Sequence, residues 1–200
     1  MKGSLIIVGF FVLGTLVGLY HLLPFDLAET NISYYALCAL MFCVGLSVGN
    51  DPQTLKNFRS LNPRLIFLPI MTILGTLTGS AAVSLILVHR SLTDCLAVGS
   101  GFGYYSLSSI FITEYKGAEL GTIALLANIS REVLTLLAAP LLVRWFGNLA
   151  PIAAGGATTM DTTLPIITRT AGQQFVVVSI FHGFVVDFSV PFLVTLFCSI

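Results

Sequence analysis

Long, pure apolar runs constrain this chain more than any motif does. From Pro63 to Val88 the only charged residue is Arg64, and from Phe175 to Ile200 it is Asp187. About 20 apolar residues suffice for a helix to cross the hydrocarbon core of a bilayer. Runs of this length, joined by short polar links, predict an all-α polytopic membrane bundle. Only 9% of the 200 residues are charged, against about 25% in soluble domains. With no polar stretch long enough for a soluble module, residues 1–200 read as a single transmembrane domain.

Seven segments are expected: Ser4–Leu23, Tyr34–Gly49, Pro63–Val88, Leu92–Thr113, Leu120–Phe146, Ala150–Thr170 and Phe175–Ile200. The first follows Lys2 with no small-residue cleavage site close behind, so it reads as a retained span rather than a signal peptide. Two segments are interrupted. Leu92–Thr113 contains the glycine- and serine-rich stretch Gly99 to Ser109, and Ala150–Thr170 contains Gly155, Gly156, Thr158, Thr159, Thr162, Thr163 and Pro165 around Asp161. Such interruptions are the pattern of discontinuous helices or re-entrant hairpins that line a cavity. About five full crossings plus two broken or re-entrant segments are therefore expected.

Lys56, Arg59 and Arg64 in and beside the link 50–62 place that link in the cytoplasm, and the link 24–33, with Asp26 and Glu29 but no base, outside. If all seven segments cross, Arg169 falls inside, Arg144 outside against the rule, and the C-terminus outside.

Asp161 is the main candidate for chemistry. A carboxylate at bilayer depth costs several kcal/mol unless it lines water or finds a partner, so it marks a functional site by default. The bland alternative is an acid that caps the N-terminus of a half-helix. The second polar cluster is Asn128, Arg131 and Glu132, midway along the fifth segment at i, i+3 and i+4 on one helix face. Neighbouring side chains point about 100° apart, so Arg131 and Glu132 cannot pair well with each other. A contact between Arg131 and Asp161 would leave Glu132 for substrate, and a mutually neutral scaffold pair is the alternative. In the first interruption, Gly99, Ser100, Gly101, Gly103 and Ser106 offer unwound carbonyls and hydroxyls, as Thr159 and Thr162 do in the second. Gly99 to Gly103 does not fit a dinucleotide loop, because no strand precedes it, the third glycine is not at the required spacing and the stretch lies inside an apolar segment.

His182 reads either as a proton relay or as a hydrogen-bonded packing residue; Asp187, five residues on, is off its face. Gly14 with Gly18, and Gly45 with Gly49, suit close helix packing. Cys38, Cys43, Cys95 and Cys198 show no CxxC spacing and read as small buried hydrophobes, and no metal or cofactor is expected. Equal numbers of basic and acidic residues argue against nucleic acid as a partner. No nucleophile–base constellation is visible, so no enzyme is expected.

The stretches Gly99–Ser109, Asn128–Glu132, Gly156–Pro165 with Arg169–Gly172, and His182–Phe184 together make the chain closely similar to the LysO family of bacterial lysine exporters. The resemblance runs from about residue 5 to the C-terminus. It implies efflux of L-lysine and of toxic lysine analogues through the bacterial cytoplasmic membrane in exchange for protons. The implied fold is that of cation/proton antiporters and bile-acid-type symporters, with crossing broken helices. Full-length members carry a further N-terminal part with a second intramembrane acid. The resemblance thus implies a split form, completed by a small separately encoded membrane protein, with a homo-oligomer also open. Two other readings stand beside export: a sodium or proton antiporter without organic substrate, and a non-transporting membrane scaffold subunit.

Overall fold

Apolar sequence at this density has one way to satisfy its backbone in lipid, by hydrogen bonding within helices. Accordingly, every regular element of the computed structural model is an α-helix or a short 3-10 turn. It describes residues 13–14, 16–20, 35, 63–87 and 89–200. All of the span Tyr34–Gly49 but Tyr35, most of Ser4–Leu23, and both polar links 24–33 and 50–62 lie outside the described residues, and with them Gly45, Gly49, Cys38 and Cys43. The chain divides into two compact units, Met1–Val44 and Gly45–Ile200. Residues 16–19 of the first unit are helical. The rest of the description concerns the second unit.

After a 3-10 turn at Pro63–Ile66, α1 spans Phe67–Ser84. Then come α2, Leu92–Gly99, and α3, Tyr105–Lys116, separated by five non-helical residues. Helix α4 is the long one, Ala118–Phe146. The short α5, Ala150–Gly155, runs into a 3-10 turn at Gly156–Met160, and α6 follows at Leu164–Ala171. A 3-10 turn at Gln173–Phe175 leads into α7, Val176–Ser199. Three stretches, Phe67–Ser84, Ala118–Phe146 and Gln173–Ser199, are long and apolar enough to cross a membrane. They coincide with the three uninterrupted segments expected in this region.

Both interrupted segments double back on themselves. At the base of α2, Asp94 lies 3.7 Å from Lys116 at the end of α3, and Arg90 pairs with Glu119 at the start of α4. The two ends of the α2–α3 segment therefore sit at one edge of the bundle, and its break is the tip of a hairpin. Cys198 near the end of α7 feels the charges of Lys116 and Asp94, so α7 ends at that same edge. The second hairpin has its base at the opposite edge. There Ile152 of α5, Ile167 and Ala171 of α6 and Val178 of α7 form one buried cluster, flanked by Leu65, Leu68, Val143 and Leu149.

This geometry corrects one sequence expectation. Arg144 and Arg169 flank the same cluster, so they lie at the same edge as each other and as the start of α1. Counting each broken segment as a crossing had separated them. The sequence also placed the first interruption over Gly99 to Ser109, whereas helix resumes at Tyr105. Serine is tolerated in the new helix because its hydroxyl bonds back within the turn, as Ser108 does to the Tyr104 carbonyl at 2.7 Å.

Candidate functional site

The tips of the two opposing hairpins touch. The amide of Ala157 donates to the carbonyl of Phe102 at 2.9 Å, joining the second break to the first. Glycine makes the approach possible. Gly156 has φ +62°, and a Cβ there would overlap the Phe102 carbonyl oxygen. On the other side, Phe102 and Gly103 turn the chain with φ of +46° and +95°. Helical hydrogen bonding is lost at both tips, and side chains take up the freed backbone groups, as buried polar backbone requires.

Asn128 braces the first tip. Its Oδ1 accepts from the Gly103 amide at 2.7 Å, while Nδ2 donates to the carbonyls of Ala124 at 2.9 Å and Val98 at 3.3 Å. Gly101 packs flat on this amide, where any Cβ would collide with it. Ser100 turns its hydroxyl back to the Leu96 carbonyl at 2.6 Å, and Gly99 lies against Ser80 of α1. Ser106, in the first turn of α3, accepts from the Ser109 hydroxyl at 3.4 Å.

Arg131 braces the second tip. Nε donates to the Ala154 carbonyl at 2.8 Å and Nη2 to the Ala153 carbonyl at 3.0 Å, at the C-terminal end of α5. Those carbonyls have no helical partner because the helix stops, and a cation there also suits the negative end of the helix. The guanidinium lies 6.0 Å from the Phe102 ring centroid and reaches Thr76 of α1 at 3.4 Å. The expected contact between Arg131 and Asp161 is not formed. The ion pairs among the described residues are Arg90–Glu119 and Lys116–Asp94, because the orphan carbonyls of α5 have claimed the guanidinium. Glu132 is fully buried at 1% exposure, one turn beyond Asn128 on the same face.

Asp161 follows the 3-10 turn with φ −136° and ψ −88°, outside both the helical and the extended regions. Its Oδ1 accepts from the Thr162 amide at 2.5 Å and faces the Thr162 hydroxyl at 3.4 Å. It does not cap α6, whose N-cap is Thr163. Asp161 and Thr162 are exposed where the largely buried turn ends. Thr159 anchors that turn to α7, its hydroxyl lying 2.9 Å from the Ser179 carbonyl and 3.2 Å from Nδ1 of His182. His182 is completely buried, and its Nε2 lies 2.9 Å from the Thr72 hydroxyl of α1. Both ring nitrogens are thus engaged, tying α1, the second break and α7 together.

Two neighbours of the site were not singled out from the sequence. Asp187 of α7 and Tyr104 of the first break both lie within electrostatic reach of Asp161. A signal was available for Asp187, the one charged residue between Phe175 and Ile200. The rule that marks an intramembrane acid as functional applies to it as it does to Asp161.

Fold and site together define a multi-pass helical membrane protein in which two broken segments meet tip to tip. The family model described as "Lysine exporter LysO" matches residues 8–198, and the chain belongs to that family. It is 35% identical over 196 residues to the protein named "Lysine exporter LysO" of Escherichia coli (strain K12), covering 98% of this chain and 64% of that one. It is likewise 35% identical over 165 residues to a "Putative lysine exporter" of Haemophilus influenzae, covering 82% of this chain and 83% of the relative. No solved structure matches. Members of such a family reside in the bacterial cytoplasmic membrane and serve transport.

Proposed function

We propose that this chain forms the cargo path of a secondary exporter that moves L-lysine and its toxic analogues out of the cell in exchange for protons. The observation that carries the reading is the position of Asp161, a carboxylate presented where two broken hairpins from opposite edges meet. The names of the two relatives supply the cargo. A site at the meeting of discontinuous helices is open to either side by small movements of the tips, which suits alternating access. Asp161 offsets the cationic head of the cargo, and Glu132 supplies a second acid within the bundle. Arg131 acts as a fixed strut that holds the second tip in place. The group binds and moves its cargo and carries out no reaction on it.

Export of a cation runs against an inside-negative potential, about 2.3 kcal/mol per charge per 100 mV. A uniporter would let lysine in. Inward proton movement through a carboxylate that alternates between H⁺ and lysine offsets that cost. A further membrane partner or a second copy belongs to the same proposal. It is supported by Gly14 and Gly18, one turn apart, around which the described residues leave open space where another helix can approach closely.

The test is Asp161→Asn, which removes one charge with almost no change of shape. Cells carrying it are expected to lose resistance to a toxic lysine analogue while the protein still accumulates in the membrane. Full resistance would remove Asp161 from the mechanism. Sodium flux without lysine flux in membrane vesicles would favour the inorganic antiporter reading instead.

A further inference from the structure

Asp187 is more than nine-tenths buried, at 8% exposure, yet no hydrogen bond or ion pair from the described residues reaches its carboxylate. The oxygens keep what little exposure the residue has, and an acid left without a protein partner inside a membrane bundle marks a place that a cation can visit. Its location follows from the packing of α7. A Cβ on Gly183 would come 2.7 Å from the Met160 amide nitrogen, so α7 lies directly against the residue preceding Asp161. One helical turn on, at i+4, the same face presents Asp187. That turn runs from the base of the second hairpin towards the edge where the first hairpin is rooted, which brings Asp187 to the Asp161 turn and to Tyr104. The nearest cation of the site, Arg131, is held by the carbonyls of Ala153 and Ala154.

Resting on the exporter reading above, we propose that Asp187, Asp161 and the phenol of Tyr104 form a subsite for the side-chain ammonium group of the cargo. Three elements contribute one group each: α7, the second break and the first break. A compact ammonium has three N–H donors and no acceptor, and two carboxylates with a phenol oxygen answer all three. The cargo then binds both hairpin tips and α7 at once, so its arrival and departure act on the contact between the tips.

The test labels the wild-type protein in inverted membrane vesicles with a hydrophobic carbodiimide and locates the adducts by mass spectrometry. Excess L-lysine is expected to protect Asp161 and Asp187 together, whereas norleucine, which has the same chain length without the terminal ammonium, protects neither. In parallel, Asp187→Asn should raise the KM for lysine by about ten- to a hundred-fold, the range for a lost hydrogen bond to a charged group. Asp187→Glu should restore most of that loss, and a purely structural Asp187 would show no lysine protection. Protection of Asp161 alone, or an unchanged KM in Asp187→Asn, overturns the subsite and leaves the exporter reading intact. If wild-type vesicles show no lysine counterflow and neither acid is protected, the exporter reading fails and the ammonium subsite with it.

Discussion

Gly156→Ala tests whether the touching hairpin tips matter to transport. At φ +62° and ψ −128° a non-glycine residue is strained by about 1–3 kcal/mol. The added methyl also occupies the place of the Phe102 carbonyl oxygen, so the hydrogen bond from Ala157 to that oxygen breaks. Ala157 is buried at 3% exposure, and an unsatisfied buried amide costs about another 1–3 kcal/mol. A combined loss of roughly 2–6 kcal/mol is large against a typical stability of 5–15 kcal/mol. It falls on the tips and spares the buried cluster at the base of the second hairpin. The protein should accumulate, lose most of its lysine export, and exchange the amide hydrogens around Ala157 at least about tenfold faster, since 1.4 kcal/mol is already tenfold. Gly117→Ala is the control. It has a similar φ of +90° but open space around its Cβ, so it shares the strain without the collision and should export almost normally. Wild-type export by Gly156→Ala would refute the tip contact as part of the mechanism.

Other outcomes follow from the bracing residues and the edges. Arg131→Lys keeps the charge but loses the fork that meets two carbonyls, and is expected to lower stability by about 1–3 kcal/mol, read as a drop in Tm of the purified protein. His182→Gln should reduce Tm while leaving the pH profile of export unchanged, as a packing histidine requires; a displaced profile would make it a relay. Cysteines placed at Arg144 and Arg169 should both react with an impermeant thiol reagent from the cytoplasmic face, and one placed at Gly117 only from the periplasmic face.

The sequence disclosed the parts better than their assembly. The three uninterrupted spans among the described residues were legible because apolar length alone decides them, and the breaks because glycine, threonine and proline weaken helices locally. Arg131 and Asn128 were legible as polar groups at depth, but their tasks were not. Each serves a backbone group about 20 to 30 residues away in sequence, Arg131 the Ala153 and Ala154 carbonyls and Asn128 the Gly103 amide and Val98 carbonyl. No local period encodes such a match. Asp187 was passed over because its spacing from His182 set it off that residue's face. The close packing of Gly183 on Met160 sets it within electrostatic reach of Asp161 instead.

The doubling-back of both broken segments also removes a conflict in the charge pattern. Treated as crossings, they put Arg144 on the outside, against the tendency of basic residues to stay in the cytoplasm. Treated as hairpins, they leave Arg144 and Arg169 at the edge where α1 begins, next to the link that carries Lys56 and Arg59 in the sequence. The opposite edge has its bases matched by acids, Arg90 with Glu119 and Lys116 with Asp94, so it contributes little net positive charge. On the proposed exporter reading, one hairpin enters from the cytoplasmic side and the other from the periplasmic side, and a shift of either tip would change which face of the membrane Asp161 meets.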